Sequence, residues 1–375
     1  MSTYIDIHII QNLPPSCVNR DDSGSPKSAV YGGVRRLRVS SQSWKRAARL
    51  YFNDLLDADD VGVRTKRVVE VLASTIVKDA PELAENAAAL AEGVFKAAKI
   101  KLSPPRGKKD GPQESGYLLF LSTSQIARLA DLAIASARSG ETLDAKAVKK
   151  IFKEEHAVDI ALFGRMVADD TDLNVDAACQ VAHAISTHAA ENEYDFFTAV
   201  DDEKNRSEEE DAGAGMMGTV EFSSATMYRY ATVNLDMLVE NLGDGGAALR
   251  ALEVFIKGFC LSMPTGKQNT FANRTLPETI VISIRDDQPI SLVGAFEKPV
   301  PEASGTGYAD RSVGELARYA ETIEKNYGLR PLSSFVVALK DSDAVSSLGE
   351  RVPFADLPGR VRQVVDPRVG REERV

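Results

Sequence analysis

Ile5, Ile7 and Ile9 fall on one side of an extended segment and Tyr4, Asp6 and His8 on the other, so residues 4–10 predict a β-strand. Breakers then crowd residues 13–33, among them Pro14, Pro15, Asn19, Asp21, Asp22, Gly24, Pro26, Gly32 and Gly33, which predicts a long structured loop. Residues 34–39 alternate again as a short strand, and Ser40 and Ser41 offer N-caps for a helix behind it. In that helix Trp44, Ala47, Ala48, Tyr51 and Leu55 share one sector, while Gln42, Lys45, Arg46 and Arg49 share the opposite one. Its inner face is expected to pack and its outer face to be basic.

From residue 57 to about residue 190 the texture is helical and Ala-rich, broken by a Pro- and Gly-containing basic loop at residues 104–112 and by Asp169, Asp170 and Asp172. This reads as a helical insertion. Residues 194–200 and 219–228 read as two β-arms flanking a Gly-rich acidic stretch that contains Ser207, Glu208, Glu209, Glu210 and Asp211, hence a projecting hairpin. Helices at residues 247–261 and 313–327 and a strand at residues 279–284 follow. Strands on both sides of helices, with one long insertion, predict an α+β fold of the ferredoxin or RRM-like kind. The division is residues 1–57 and 225–375 for the sheet domain, 58–190 for the insertion and 191–224 for the hairpin.

Charge changes this picture. The 375-residue chain is 43% hydrophobic and carries a formal net charge of −10, which by itself argues against a polyanionic partner. The distribution reverses that inference, because residues 23–53 hold Lys27, Arg35, Arg36, Arg38, Lys45, Arg46 and Arg49 and no acid. Arg36 and Arg38 on the adjoining strand, hydroxyls and amides at Ser40, Gln42 and Ser43, and the Gly32-Gly33 pair complete a surface suited to gripping a nucleic-acid backbone without reading sequence. In Phe196-Phe197, one ring of the pair must face away from the other, free to stack on a base.

No catalytic constellation assembles. His183 and His188 are five apart, which does not put both on one helix face, and they read as capped or core histidines on an Ala-rich helix. Asp169, Asp170, Asp172 and Asp176 lack the glycine and terminal glutamate of a calcium loop. Gly266-Lys267 is followed by Gln268 where a phosphate loop needs Ser or Thr. Cys17, Cys179 and Cys260 are far apart and read as buried free thiols rather than disulfides or zinc ligands. No cofactor or metal is expected. No stretch reaches the roughly 18 apolar residues of a membrane span, and no signal peptide is read, so a cytoplasmic protein is expected.

The blocks 14–22, 31–43, 158–166, 182–188, 195–202, 221–224, 266–268 and 295–298 resemble, in order, the CasC family, the backbone subunit of type I-E CRISPR Cascade in prokaryotic antiviral defence. The resemblance implies an RRM-like palm, helical fingers and a β-hairpin thumb. It implies a non-catalytic protein whose copies stack in a helical filament along the CRISPR RNA (crRNA), kink it periodically, and present its bases for pairing with target DNA. Partners implied are crRNA, adjacent copies, target DNA and the large, small, guide-capping and guide-processing subunits. The guide-binding residues implied are Lys27, Gln42, Ser43, Lys45, Arg46 and Arg49 in the palm, with Arg20 and Lys267 in support. Met166, Phe197 and Thr198 would flank the kink. The family has tryptophan where this chain has Phe196. Arg106, Lys108 and Lys109 are expected to meet target DNA. Two rival readings are a metal-dependent RNA-processing nuclease using His183, His188 and the Asp169 to Asp176 cluster, and a scaffold whose basic stripe binds an acidic protein.

Overall fold

The computed structural model describes residues 2–57, 60–105, 111–199 and 216–369. The loop residues Arg106, Lys108 and Lys109 and the acidic run Ser207 to Asp211 lie outside the described residues.

The opening strand, Tyr4–Ser16, is the axis of a ten-stranded sheet. It pairs antiparallel with Met216–Asn234 on one side and with Thr279–Arg285 on the other. Outward from the latter come Ser333–Ala338 and Glu350–Arg351; outward from the former come Ala184–Ser186, Val34–Val39 and Ser28–Tyr31. Both faces are covered by helices, so both sides of the opening strand are buried. Ile5, Ile7 and Ile9 meet Trp44, Phe52, Phe255, Phe259 and Val361 in the larger core. Ile10 meets Tyr228, Val281, Phe296 and Leu316 in a second. The alternation assigned to residues 4–10 is therefore correct in period, yet Asp6 and His8 on the second face are as buried as the isoleucines. They are tolerated because Asp6 accepts from the Tyr230 hydroxyl at 2.8 Å and the Ile290 amide at 2.9 Å, while His8 Nδ1 meets the Tyr228 hydroxyl at 2.9 Å.

A separate apolar core holds the insertion together, built from helices Val68–Asp79, Ala87–Ala97, Thr123–Ser139 and Ala145–Lys153. Pure helix is not what forms there. Gly62–Thr65 pairs with Leu119–Ser122, and Leu102–Ser103 with Glu114–Ser115, ladders too short to imprint a period on the sequence. Cys179–Val181 and Ala184–Ser186 are strands of the main sheet, so His183 and His188 do not sit on a helix.

Two further boundaries differ from the sequence pattern. The opening strand continues through Pro14 and Pro15 to Ser16, and residues 28–31 already form a strand, leaving a loop of residues 17–27. The basic helix ends at Phe52, capped at Asn53, so Phe52 and not Leu55 completes its buried face; Leu55 is 38% exposed. No helix among the described residues is long and apolar enough to cross a membrane.

Candidate nucleic-acid interface

The basic helix, Ser41–Phe52, is anchored from within by Trp44, Ala47, Ala48 and Phe52. Ser40 caps it, its side chain accepting the Ser43 amide at 3.3 Å. The amphipathic period then leaves Gln42 and Arg46 exposed and Ser43, Lys45 and Arg49 half-buried on the outer side. Lys45 Nζ lies 5.7 Å from the Phe163 ring centre and the Arg49 guanidinium 5.3 Å from that of Phe120, so aromatic faces steady both cations. Burial and the nearby Arg64 and Arg46 charges pull the Arg49 guanidinium below its ordinary value, against the opposing pull of Asp159.

The loop of residues 17–27 folds back onto the start of this helix. Asn19 is the hinge: its Oδ1 accepts the Ser40 amide at 2.8 Å and its carbonyl the Lys27 amide at 2.9 Å. Arg20 and Lys27 are thereby drawn to the same end as Ser43. Gly266 closes the third side, because a Cβ there would fall 2.3 Å from the Val18 carbonyl oxygen and only glycine permits the approach. The Gly-Lys pair is thus a packing device that delivers Lys267, in a left-handed conformation with φ of 46°, beside Arg20. Both cations act on the buried Cys17 thiol, though burial dominates and raises it. Between loop, helix and the segment after Leu261 lies a cleft of about 700 Å³ lined by Arg20, Ser43, Arg46 and Tyr51, with the acids Asp21, Asp22 and Asp54 also on its wall. Arg274 lines it too, an isolated cation in an irregular segment that no pattern had marked.

None of Arg20, Lys27, Lys45, Arg46, Arg49 and Lys267 forms a salt bridge among the described residues, whereas Lys101, Arg128 and Lys149 of the insertion are each matched by acids. Unmatched cations on one face of an acidic molecule make a surface ready for an external polyanion.

Arg36 is a correction to the basic stripe. It is fully buried and donates to the carbonyls of Tyr31, Ser186, Phe296 and Glu297, a clamp on the sheet rather than a phosphate contact. Gly32 likewise faces the Glu297 carbonyl and not an open surface. Arg38 meets the His183 ring at 3.2 Å, and that ring also accepts the Ser41 amide.

The hairpin pairs Glu193–Ala199 with the outer part of Met216–Asn234. Alternation sends Tyr194, Phe196 and Thr198 to one face and Phe197 to the other. Phe196 stands 64% exposed, while the half-buried Phe197 ring lies across Gly218, where a Cβ would fall 2.6 Å from its Cζ. Met166, in the segment after helix Val158–Phe163, is 77% exposed.

Three of the residues named for a nuclease have partners within the fold. His188 Nδ1 meets the Ala189 carbonyl at 2.7 Å, its Nε2 accepts the Thr226 amide, and its ring stacks on Tyr308 at 3.7 Å. Asp169 and Asp170 pair with Lys101 and Lys149.

A family described as CT1975-like protein matches residues 5–357 of the chain. A chain from a solved "CRISPR RNA-guided surveillance complex, pre-nicking" is 38% identical and superposes with a TM-score of 0.86, covering 96% of this chain and 99% of that one. A chain from a second "CRISPR RNA-guided surveillance complex" is 32% identical with a TM-score of 0.76, covering 97% and 99%. No curated protein matches. The mixed α and β architecture is therefore shared with subunits of those complexes.

Proposed function

The chain belongs to the CT1975-like protein family, and on that premise we propose that it is a non-catalytic, crRNA-binding subunit of a CRISPR surveillance complex. Within that class the reading is the CasC backbone of a type I-E Cascade. The main sheet and its helices serve as an RRM-like palm, the insertion as fingers and the hairpin as a thumb. Copies line up along one guide, in the cytoplasm, beside large, small, guide-capping and guide-processing subunits. Each copy neutralises guide phosphates, and base pairing with target DNA supplies specificity, a division of labour known from other guided effectors.

One observation carries this reading: Lys45, Arg46 and Arg49 stand on the outer side of one helix, Arg20 lines the cleft beside Arg46, Lys27 is tied to the same loop through Asn19, Lys267 and Arg20 both act on Cys17, and none of the six has an ion-pair partner among the described residues. Such a set gives a sequence-indifferent hold on a backbone. Met166 and the Phe197 to Thr198 edge of the hairpin are assigned to the kinked nucleotide.

The test is binding of a labelled repeat-spacer RNA as a function of salt. Lys45→Ala/Arg49→Ala is expected to weaken binding and flatten the logarithmic salt slope by about 0.7 for each phosphate no longer neutralised. Unchanged affinity and slope would show that this helix is not the guide site.

A further inference from the structure

One acid sits at the seam between the basic helix and the insertion. Asp159, only 1% exposed, is the second residue of helix Val158–Phe163. Its Oδ1 accepts the Gly62 amide at 3.0 Å, fixing the start of strand Gly62–Thr65. Two residues on, Arg64 pairs across the ladder with Phe120, the ring over which Arg49 lies at 5.3 Å. Of the charges acting on Arg49, Asp159 attracts while Arg64 and Arg46 repel. Asp159 Oδ2 is buried and makes no hydrogen bond of normal geometry among the described residues.

This carboxylate is an awkward choice for folding alone. Burial pushes it up to about 6, against the lowering effects of the Gly62 amide, Arg49 and the Ile160 and Asp159 amides in the first turn of its own helix, so at neutral pH the folded chain holds a buried charge at a cost. An asparagine could accept the same Gly62 hydrogen bond without that cost. What sets this acid apart is its place: it is bonded to Gly62, on the strand whose partner carries Phe120, the ring beneath Arg49.

Resting on the guide-binding reading, we propose that Asp159 is a positioning residue for nucleic-acid binding: its carboxylate holds Arg49 over the Phe120 ring, against the repulsion of Arg46 and Arg64, so that the guanidinium meets a backbone phosphate. A long, rotamer-rich side chain among like charges would otherwise turn to solvent, and binding would have to order it again. With Asp159 and Phe120 in place the cation is arranged before the polyanion arrives. The seam thereby also fixes strand Gly62–Thr65 of the insertion relative to the grip on the guide.

The experiment uses the full chain with Asp159→Asn, in the natural background and in Arg49→Ala, reading the thermal midpoint at pH 7.5 and affinity for labelled repeat-spacer RNA at fixed salt. The expected result is a midpoint at or above that of the natural protein together with RNA binding weakened about tenfold, and no further weakening once Arg49 is already alanine. Phe120→Leu is a second probe and should likewise lower affinity only while Arg49 is present. Tighter or unchanged binding by Asp159→Asn, or an equal weakening with and without Arg49, overturns the positioning role. If Arg49→Ala alone leaves RNA binding untouched, the guide-binding reading itself fails at this helix and the role of Asp159 fails with it.

Discussion

The guanidinium of Arg229 lies 3.7 Å from the centre of the Trp44 ring, directly beneath the helix whose outer side carries Lys45, Arg46 and Arg49. Arg229 is 1% exposed, stacks also on Phe259 at 4.7 Å, donates to Gln11 Oε1 at 2.5 Å and to the Phe259 carbonyl, and forms no salt bridge with a carboxylate among the described residues. Burial draws it down to about 9, against the opposing effect of Cys260. The indole and the guanidinium together set the height at which the basic helix rests on the sheet.

Arg229→Ala is expected to destabilise the protein by about 3 kcal/mol, since it removes the platform under Trp44 and leaves two buried acceptors unpaired. Arg229→Met, which restores volume without charge, should recover part of that stability. Denaturant midpoints at pH 7.5 measure both.

His8 supplies a pH signature. Burial, assisted by the Arg285 charge, pulls its imidazole from 6.5 to about 3, so the folded chain refuses a proton that the unfolded chain accepts. Stability attributable to His8 is therefore complete above pH 6.5 and falls as pH drops toward 3, by about 2 kcal/mol at pH 5. Asp6, raised by burial, acts in the opposite sense, so the informative quantity is the difference between the natural protein and His8→Gln. Stability curves from pH 8 to pH 5 should converge as pH falls; parallel curves would mean that His8 takes up its proton as readily in the folded chain as in the unfolded one.

Gly218 and Phe197 form a pair across the hairpin, and Gly218→Val should drive the ring off its seat while leaving Phe196 on the other face undisturbed. If Phe197 is the ring that meets the guide, Gly218→Val and Phe197→Ala will both change the footprint period of bound RNA, and Phe196→Ala will not. The reverse pattern reassigns the contact to Phe196.

The thiols of Cys179 and Cys260 are pushed up by burial, Cys260 to about 12, and Cys17 is buried with them. Alkylation by iodoacetamide at pH 7.5 should be slower by about a hundredfold in the folded protein than in denaturant. Rapid labelling of the native chain would contradict the burial of these sites.

Elements whose period matches one environment were legible in the sequence. The opening strand and the basic helix carry clean periods, and Trp44, Ala47 and Ala48 pack where the helical sector puts them. Arginine was the hardest letter to read. Arg36 and Arg229 look like the surface cations around them, but long-range carbonyls and rings that no local window contains turn them into core residues. The short ladders of the insertion escaped because a strand of two to four residues has no period to detect. Met166 stands in the open with no local feature to mark it. Asp159 did leave a trace, a lone acid at the head of the apolar run Val158 to Phe163, and its meaning needed Arg49 and Gly62, distant in sequence, to become visible.

Met216–Asn234 is one unbroken strand: its inner half is registered against Tyr4–Ser16 and its outer half against Glu193–Ala199. Such a beam is a cantilever clamped in the sheet, its one irregularity among the described pairings a register shift between Leu13 and Ser16 where the opening strand ends and the hairpin begins. The distance from the sheet to the Phe196 and Phe197 rings is thus graduated in residues. Inserting one residue pair in each arm would move the rings outward by about 7 Å on unchanged faces, while inserting a single residue in each would swap Phe196 for Phe197. The reach of the hairpin is accordingly cut into the hydrogen-bond ladder of the core, where it can change only in whole steps.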